Sequence, residues 1–421
     1  MPLIESGLSA ANEQFARRYP GELEGRQPVH VVYGGAHLFR AGTCRKLGEL
    51  AQRAFADYAP DPASLAAAVG THSAFDDQIY ARVIDKLRQE PVEDFRIDFE
   101  DGFGFRSSDE EDSTADTTAR ETAAAMADGM LPPFFGIRIR PLNEEWRHRS
   151  FRTLRRFLDG LLSASGGRTP SNFVVTLPKI TVPEQVGALA DALEPFPDIR
   201  IEVMIETPQA LTRIPELIEA SRGRCVAAHF GPYDYTASLG ITASRQSLLH
   251  PACDVARSLM QIHFAGTGIR LADGPTNTLP IPPHRGETLS PGQIAENRWA
   301  IHHAWKLHYR GISHALDSGY YQGWDLHPSQ LPPRFAAVYA FFLDGLEAAS
   351  ARLRNFIAQA AQATRVGSVF DDAATGQGLL NYFRRGVNCG AMTEEETARL
   401  TGLTLDQLRS GSFAKIVIST E

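Results

Sequence analysis

Eight short runs of β-branched, aromatic and other apolar residues recur between residues 29 and 329, and each is followed by a stretch with helical spacing. They read VHVVYGG (29–35), FRIDFE (95–100), FFGIRIR (134–140), FVVTLPK (173–179), IRIEVMIE (199–206), CVAAHFG (225–231), GIRLADG (268–274) and GWDLHPS (323–329). Strands covered on both faces read as nearly continuous apolar runs, whereas a half-solvated sheet alternates apolar with polar. Eight such β-then-α units describe a closed parallel barrel better than an open doubly wound sheet.

The expected fold class is therefore α/β, a (β/α)8 TIM barrel with a helical C-terminal extension. The stretches PEQVGALADALEPF (183–196) and PQALTRIPELIEA (208–220) carry apolar residues three and four apart and read as outer helices. Residues 1–27 read as a helical lead-in, 28–332 as the catalytic barrel and 333–421 as a helical extension or lid, since the strand rhythm stops near residue 331. Two long connections, 107–129 and 275–293, read as loops that shape or cover a site, the first turning into an Ala-rich helix.

At 421 residues the chain can bury a large core, and its net charge of −8 comes without any Lys/Arg run able to track phosphates or an anionic membrane. The expected partners are small molecules, not nucleic acid and not a membrane. The N-terminus lacks a basic region followed by an apolar one, and no window approaches roughly 18 consecutive apolar residues. Four widely spaced cysteines give neither a metal pair nor a disulfide framework. A cytoplasmic location is expected.

In such a barrel the reacting groups gather where the strands end. The second run ends in Asp98, Glu100 and Asp101, a like-charge cluster that needs a cation or hydrogen-bond donors. Arg138 closes the third run, Lys179 the fourth and Glu206 the fifth, while Asp234 follows the sixth. Glu206 and Asp234 are hard oxygen donors from adjacent strand ends, suited to Mg²⁺ that keeps some waters and two substrate oxygens. Each residue also has a structural reading: a strand-end carboxylate as a helix cap or salt bridge, Arg138 as a clamp on the acidic cluster, Lys179 as an ion-pair partner.

The ordered set DFEDG, IRIRPLN, LPKI, IETPQA, GPYDYTASLG, GIRLADGPT and WDLHPSQL resembles the citrate lyase β-subunit-like group of the HpcH/HpaI aldolase superfamily, which includes malyl-CoA and citramalyl-CoA lyases. The likeness covers roughly residues 28–332. It implies a Mg²⁺-dependent carbon–carbon lyase of the aldolase type, with Mn²⁺ an alternative ion, acting on a hydroxy acid or its CoA thioester through an enolate. Glu206 and Asp234 would bind the ion, Arg138 the substrate's oxo or enolate oxygen, and Glu100 and Asp101 would support a metal-bound water. Lys179 completes the catalytic set; Gly231, Pro232, Asp98 and His327 join Arg138 in holding substrate. The likeness further implies a homo-oligomer, a trimer or hexamer.

The chain departs from that pattern where the family carries its lid aspartate: it reads VFDDAATGQGLLNYF (369–383), with Asp371 and Asp372 a few residues upstream. His72, Asp76 and Asp77 in GTHSAFDDQIY are a second source for a general base near the barrel mouth, or an ordinary polar turn. His37 and His327 each have a substrate-facing and a loop-fixing reading. Two other functions remain: phosphoryl or phosphonyl transfer on phosphoenolpyruvate, although no GxxxxGK[ST] loop is present, and a non-catalytic metabolite-binding homologue.

Overall fold

The computed structural model describes residues 2–21, 25–71, 73–366, 373–410, 413 and 416. Eight parallel strands form one closed barrel in chain order: β1 (His30–Gly35), β2 (Asp94–Asp98), β3 (Phe134–Arg138), β4 (Phe173–Leu177), β5 (Arg200–Ile205), β6 (Cys225–Phe230), β7 (Arg270–Asp273) and β8 (Gln322–Asp325), with β8 pairing back onto β1. Each apolar run of the sequence overlaps one strand.

Outward-facing residues supply the conventional core. Phe95, Phe135 and Phe173 lie on successive strands with ring centroids 6.2 Å apart, and Phe157 of the helix Arg147–Ser165 stacks on Phe173 at 6.2 Å. Burying rings of this size contributes on the order of 2 kcal/mol each.

Inward, the barrel is polar where branched apolar side chains are usual. Arg96 pairs with Asp94 and reaches Glu202 at 3.0 Å, and Thr176 donates to Glu202 at 2.7 Å. The Tyr33 hydroxyl lies 3.1 Å from both Glu202 and His229. Alternation explains this: in Asp94-Phe95-Arg96-Ile97-Asp98 the apolar pair faces the helices and the charged residues face inward.

Several connections differ from expectation. Residues 107–129 are not a loop: the helix Ser108–Ala127 starts at once, its N-terminus capped by Ser107, which accepts from the Glu110 amide, with Asp109, Glu110 and Glu111 in its first turn. The 208–220 stretch is two short helices, Pro208–Thr212 and Ile214–Ala220, because Pro215 belongs at a helix start. Between β1 and β2 run three helices, Thr43–Tyr58, Pro62–Val69 and Asp76–Gln89.

The helix Leu331–Asp344 is almost wholly buried and packs on Pro291–Asp317 and Asp76–Gln89, making it the eighth of the outer ring. Beyond it, Ala373–Asn388 lies against the entries of β1, β7 and β8, where Asn388 donates to the Gly25 carbonyl at 3.5 Å. That is the N-terminal end of the barrel, so this helix does not cover the strand ends of its own chain. Asp371 and Asp372 lie outside the described residues. Among the described residues no helix is long and apolar enough to cross a membrane. All four cysteines are buried thiols.

Candidate active site

The C-terminal strand ends are brought together by backbone turns that only particular residues allow. After β2 the chain turns tightly, with the Phe103 and Gly104 amides both donating to the Glu100 carbonyl. The end of β1 presses on this turn: a Cβ at Gly35 would stand 2.2 Å from the Gly102 carbonyl oxygen. Asp98 closes it by accepting from the Glu100 amide at 2.9 Å and the Gly102 amide at 2.7 Å.

The same Asp98 oxygens accept from Arg138 Nε at 2.7 Å and Nη2 at 2.5 Å. Asp98 is therefore saturated and 1% exposed, which turns it away from the substrate contact expected of it and makes it the residue that aims Arg138. The guanidinium rests over the rings of Tyr33 at 4.9 Å and Trp324 at 5.3 Å. Its remaining edge, Nη1, faces Glu100 at 3.1 Å and Asp101 at 3.7 Å.

Across the mouth, Lys179 takes a left-handed backbone conformation, φ 50°, uncommon for a residue with a side chain. Its amide donates to Glu206 at 2.5 Å. Its ammonium bonds Glu100 and lies 3.0 Å from Asp101 and 3.8 Å from Asp234. Glu206 is buried beneath Gly231, where a Cβ would stand 2.4 Å from Glu206 Oε2. Pro232 opens the short helix Pro232–Ser238 whose first turn carries Asp234, and a Cβ on Gly274 would meet the Pro232 ring at 2.2 Å.

Five carboxyl groups, Asp98, Glu100, Asp101, Glu206 and Asp234, thus share two cations, Arg138 and Lys179. Burial, then the Asp234 and Glu100 charges, pushes the Glu206 carboxyl up to about 8. Burial also lifts Glu100 to about 7, with Arg138 opposing and Asp101 adding to the rise. Asp234 is raised by burial, while Asp101, more open, is lowered because Arg138 and Lys179 outweigh its desolvation. An added cation would relieve this excess of negative charge.

The other sequence candidates do not join this charge cluster. His327 caps the turn Pro328–Gln330, its Nδ1 accepting from the Ser329 amide at 3.2 Å. His37 stacks on Phe103 at 5.8 Å, with a buried Nδ1 that has no hydrogen-bond partner. Asp76 and Asp77 start the helix Asp76–Gln89, beside Ser73, whose hydroxyl donates to Asp344 at 2.5 Å; Asp344 ends the eighth outer helix, at the barrel's far end from the mouth. His72 lies outside the described residues. Sequence reading missed Tyr33, Trp324 and Met204, the floor beneath Arg138, whose Nη1 lies 3.7 Å from the Met204 sulfur. Their positions, two residues apart along each strand from other inward residues, were the available signal.

Among the described residues no three His, Cys, Asp or Glu side chains form a closed metal cage. A site with two protein carboxylates completed by water and substrate is a different arrangement, the usual one for Mg²⁺.

In fold the molecule is a (β/α)8 barrel of the citrate lyase kind. It overlays a citrate lyase from Burkholderia xenovorans LB400 with a TM-score of 0.55 at 16% identity, covering 93% of this chain and 97% of that one. A citrate lyase β subunit from M. tuberculosis, solved with oxaloacetate and magnesium, gives 0.41 at 16% identity over 74% of this chain and 96% of the other. A malate synthase from Haloferax volcanii, solved as a lead(II) complex, gives 0.46 at 14% over 80% and 95%. No curated relative matches the chain in sequence. The chain belongs to the DUF6986 family, described as a domain of unknown function, whose model matches residues 8–416.

Proposed function

We propose that the protein is a Mg²⁺-dependent carbon–carbon lyase that cleaves or forms a bond in a hydroxy acid, free or as a CoA thioester, through an enolate. The observation that carries this reading is the convergence of four carboxylates on Lys179, Glu100, Asp101 and Asp234 on its ammonium and Glu206 on its backbone amide, with one edge of Arg138 turned toward Glu100.

The residues fit a hard divalent ion. Glu206 and Asp234 are oxygen donors from adjacent strand ends, and Glu206 Oε2 accepts no hydrogen bond from the described residues, leaving it available. These two carboxylates would hold the ion, and Mn²⁺ satisfies the same donors. When bound, the ion supplies Lewis-acid stabilisation of negative charge developing on the substrate's carbonyl oxygen.

The chain's own groups do the rest. Arg138 Nη1, fixed by the Asp98 fork, presents a donor to the same oxygen from an edge that needs no reorganisation. Lys179 balances the acidic residues and orients Glu100 and Asp101. Glu100 Oε2 is buried without a hydrogen bond, and a carboxyl lifted to about 7 is suited to hold and pass a proton near neutral pH.

The reading is tested by following exchange of pyruvate methyl protons with solvent deuterium by NMR. Exchange should need Mg²⁺ and disappear in Glu206→Ala. Exchange that survives both EDTA and this substitution would rule out the enolate mechanism.

A further inference from the structure

At the barrel's opposite end, a cavity of about 260 Å³ lies between the entries of β1, β7 and β8 and the helix Ala373–Asn388. Asn381, Arg384, Arg385 and Asn388 follow the i, i+3, i+4, i+7 spacing that puts them on one helix face, and that face lines the cavity. Arg26 and Arg270 line it from the barrel side. Gly25, Gly266 and Gly268, with φ of 122°, 74° and 77°, make the turns that leave the space open.

Among the described residues the cations here differ in their partners. Arg26 is matched by Glu90 and Glu93. Arg270 is not matched: its guanidinium lies over the Phe134 ring at 5.0 Å, its Nε is buried with no hydrogen-bond partner, and it forms no ion pair among the described residues. The nearest interior carboxylates are taken, Asp94 by Arg96 and Gln322, and Glu202 by Arg96, Thr176 and Tyr33. No Asp or Glu lines the cavity among the described residues. Arg270 is half-buried, its Nε is shut off from water without an acceptor, and the planar fork of its guanidinium matches a carboxylate or phosphate.

We propose that this cavity binds a small multivalent oxyanion, carboxylate or phosphate in chemistry, between Arg270 of β7 and Arg384 of the C-terminal helix. The volume falls just below the range of roughly 300–1,000 Å³ common for drug-sized ligands, so a single compact anion fits better than a nucleotide. Bound there, it ties the C-terminal helices to the barrel floor and raises the melting temperature.

The test is calorimetric titration of the full-length, metal-free protein in EDTA at constant ionic strength, with inorganic pyrophosphate and separately with citrate. One saturable site is expected, and the anion that binds distinguishes a phosphate from a carboxylate ligand. Arg384→Gln should weaken it by roughly tenfold or more, the loss of one charge-assisted hydrogen-bonding group. Glu206→Ala, at the far end of the barrel, should leave it unchanged. Arg270→Gln changes a half-buried residue of the barrel sheet and is secondary to the helix-borne variant for that reason. The proposal is overturned if neither anion binds wild type, if Arg384→Gln binds as well as wild type, or if Glu206→Ala abolishes binding, which would locate the anion in the catalytic mouth.

Discussion

Arg138 shows how one residue's role depends on its neighbours. Its Nε and Nη2 are occupied by Asp98, its face lies over two rings, and only Nη1 is left for chemistry. In Asp98→Asn the carboxylate that fixes the fork is lost, and a buried guanidinium loses its nearest counter-ion. Breaking one side of a buried pair costs about 3–5 kcal/mol, so urea unfolding should show a loss of that order and pyruvate exchange should fall with it. Unchanged stability and exchange would mean that Asp98 does not hold Arg138. The sequence offered both readings of Arg138, substrate contact and clamp; in the structure one edge of the guanidinium is forked onto Asp98 and the other is turned toward Glu100 and Asp101, which composition cannot express.

At the scale of an element, the turn from β6 into Pro232–Ser238 exists because Glu206 lies where a side chain at position 231 would be. Gly231→Ala should push Glu206 out of line. Mg²⁺ affinity, read by calorimetry, is expected to fall by roughly tenfold or more, the usual effect of disturbing a residue that holds a metal ligand in place, while circular dichroism keeps the barrel signature. Retained affinity would show that the close approach has no bearing on the ion. Elements were legible to differing degrees. The strands were readable because both faces are covered and their apolar runs are dense. The 107–129 segment was not, because Ser, Thr and Asp are frequent both in loops and in a capped first turn, and only the Ser107 cap and the packing against Arg147–Ser165 decide between them.

For the whole molecule, acid should be the weak point. Burial pushes His30 and His229 down to about 4, so both are neutral in the fold. An unfolded histidine titrates near 6.5, so the unfolded chain binds protons first and this stability is lost as pH falls from about 6.5 toward 4. Glu202, although burial raises it, is brought down to about 2 by Arg96 and its hydrogen bonds; its contribution is present above about 4.5 and lost as pH falls toward 2. Glu206 and Glu100, raised to about 8 and 7, act in the opposite sense, because the fold takes up those protons before the unfolded chain does; in a Glu206→Gln, Glu100→Gln double variant, which removes both, urea midpoints at pH 7.5, 6 and 5 should decline in order. A midpoint that holds constant or rises over that range would contradict neutral buried histidines.

By itself the sequence determined the strand count, the parallel closed barrel and the order of charged residues along the strand ends, because periodicity and burial act over a few residues and leave a local record. The family motifs singled out Glu206, Asp234, Arg138 and Lys179, which the fold brings to one mouth. Only the tertiary structure decided that Asp98 faces Arg138 and not solvent, that a charged network fills the barrel, that Asp76 lies at the far end from the mouth, and that the C-terminal helix packs beneath the barrel. Those outcomes rest on contacts between segments distant in the chain, whose geometry no local pattern encodes.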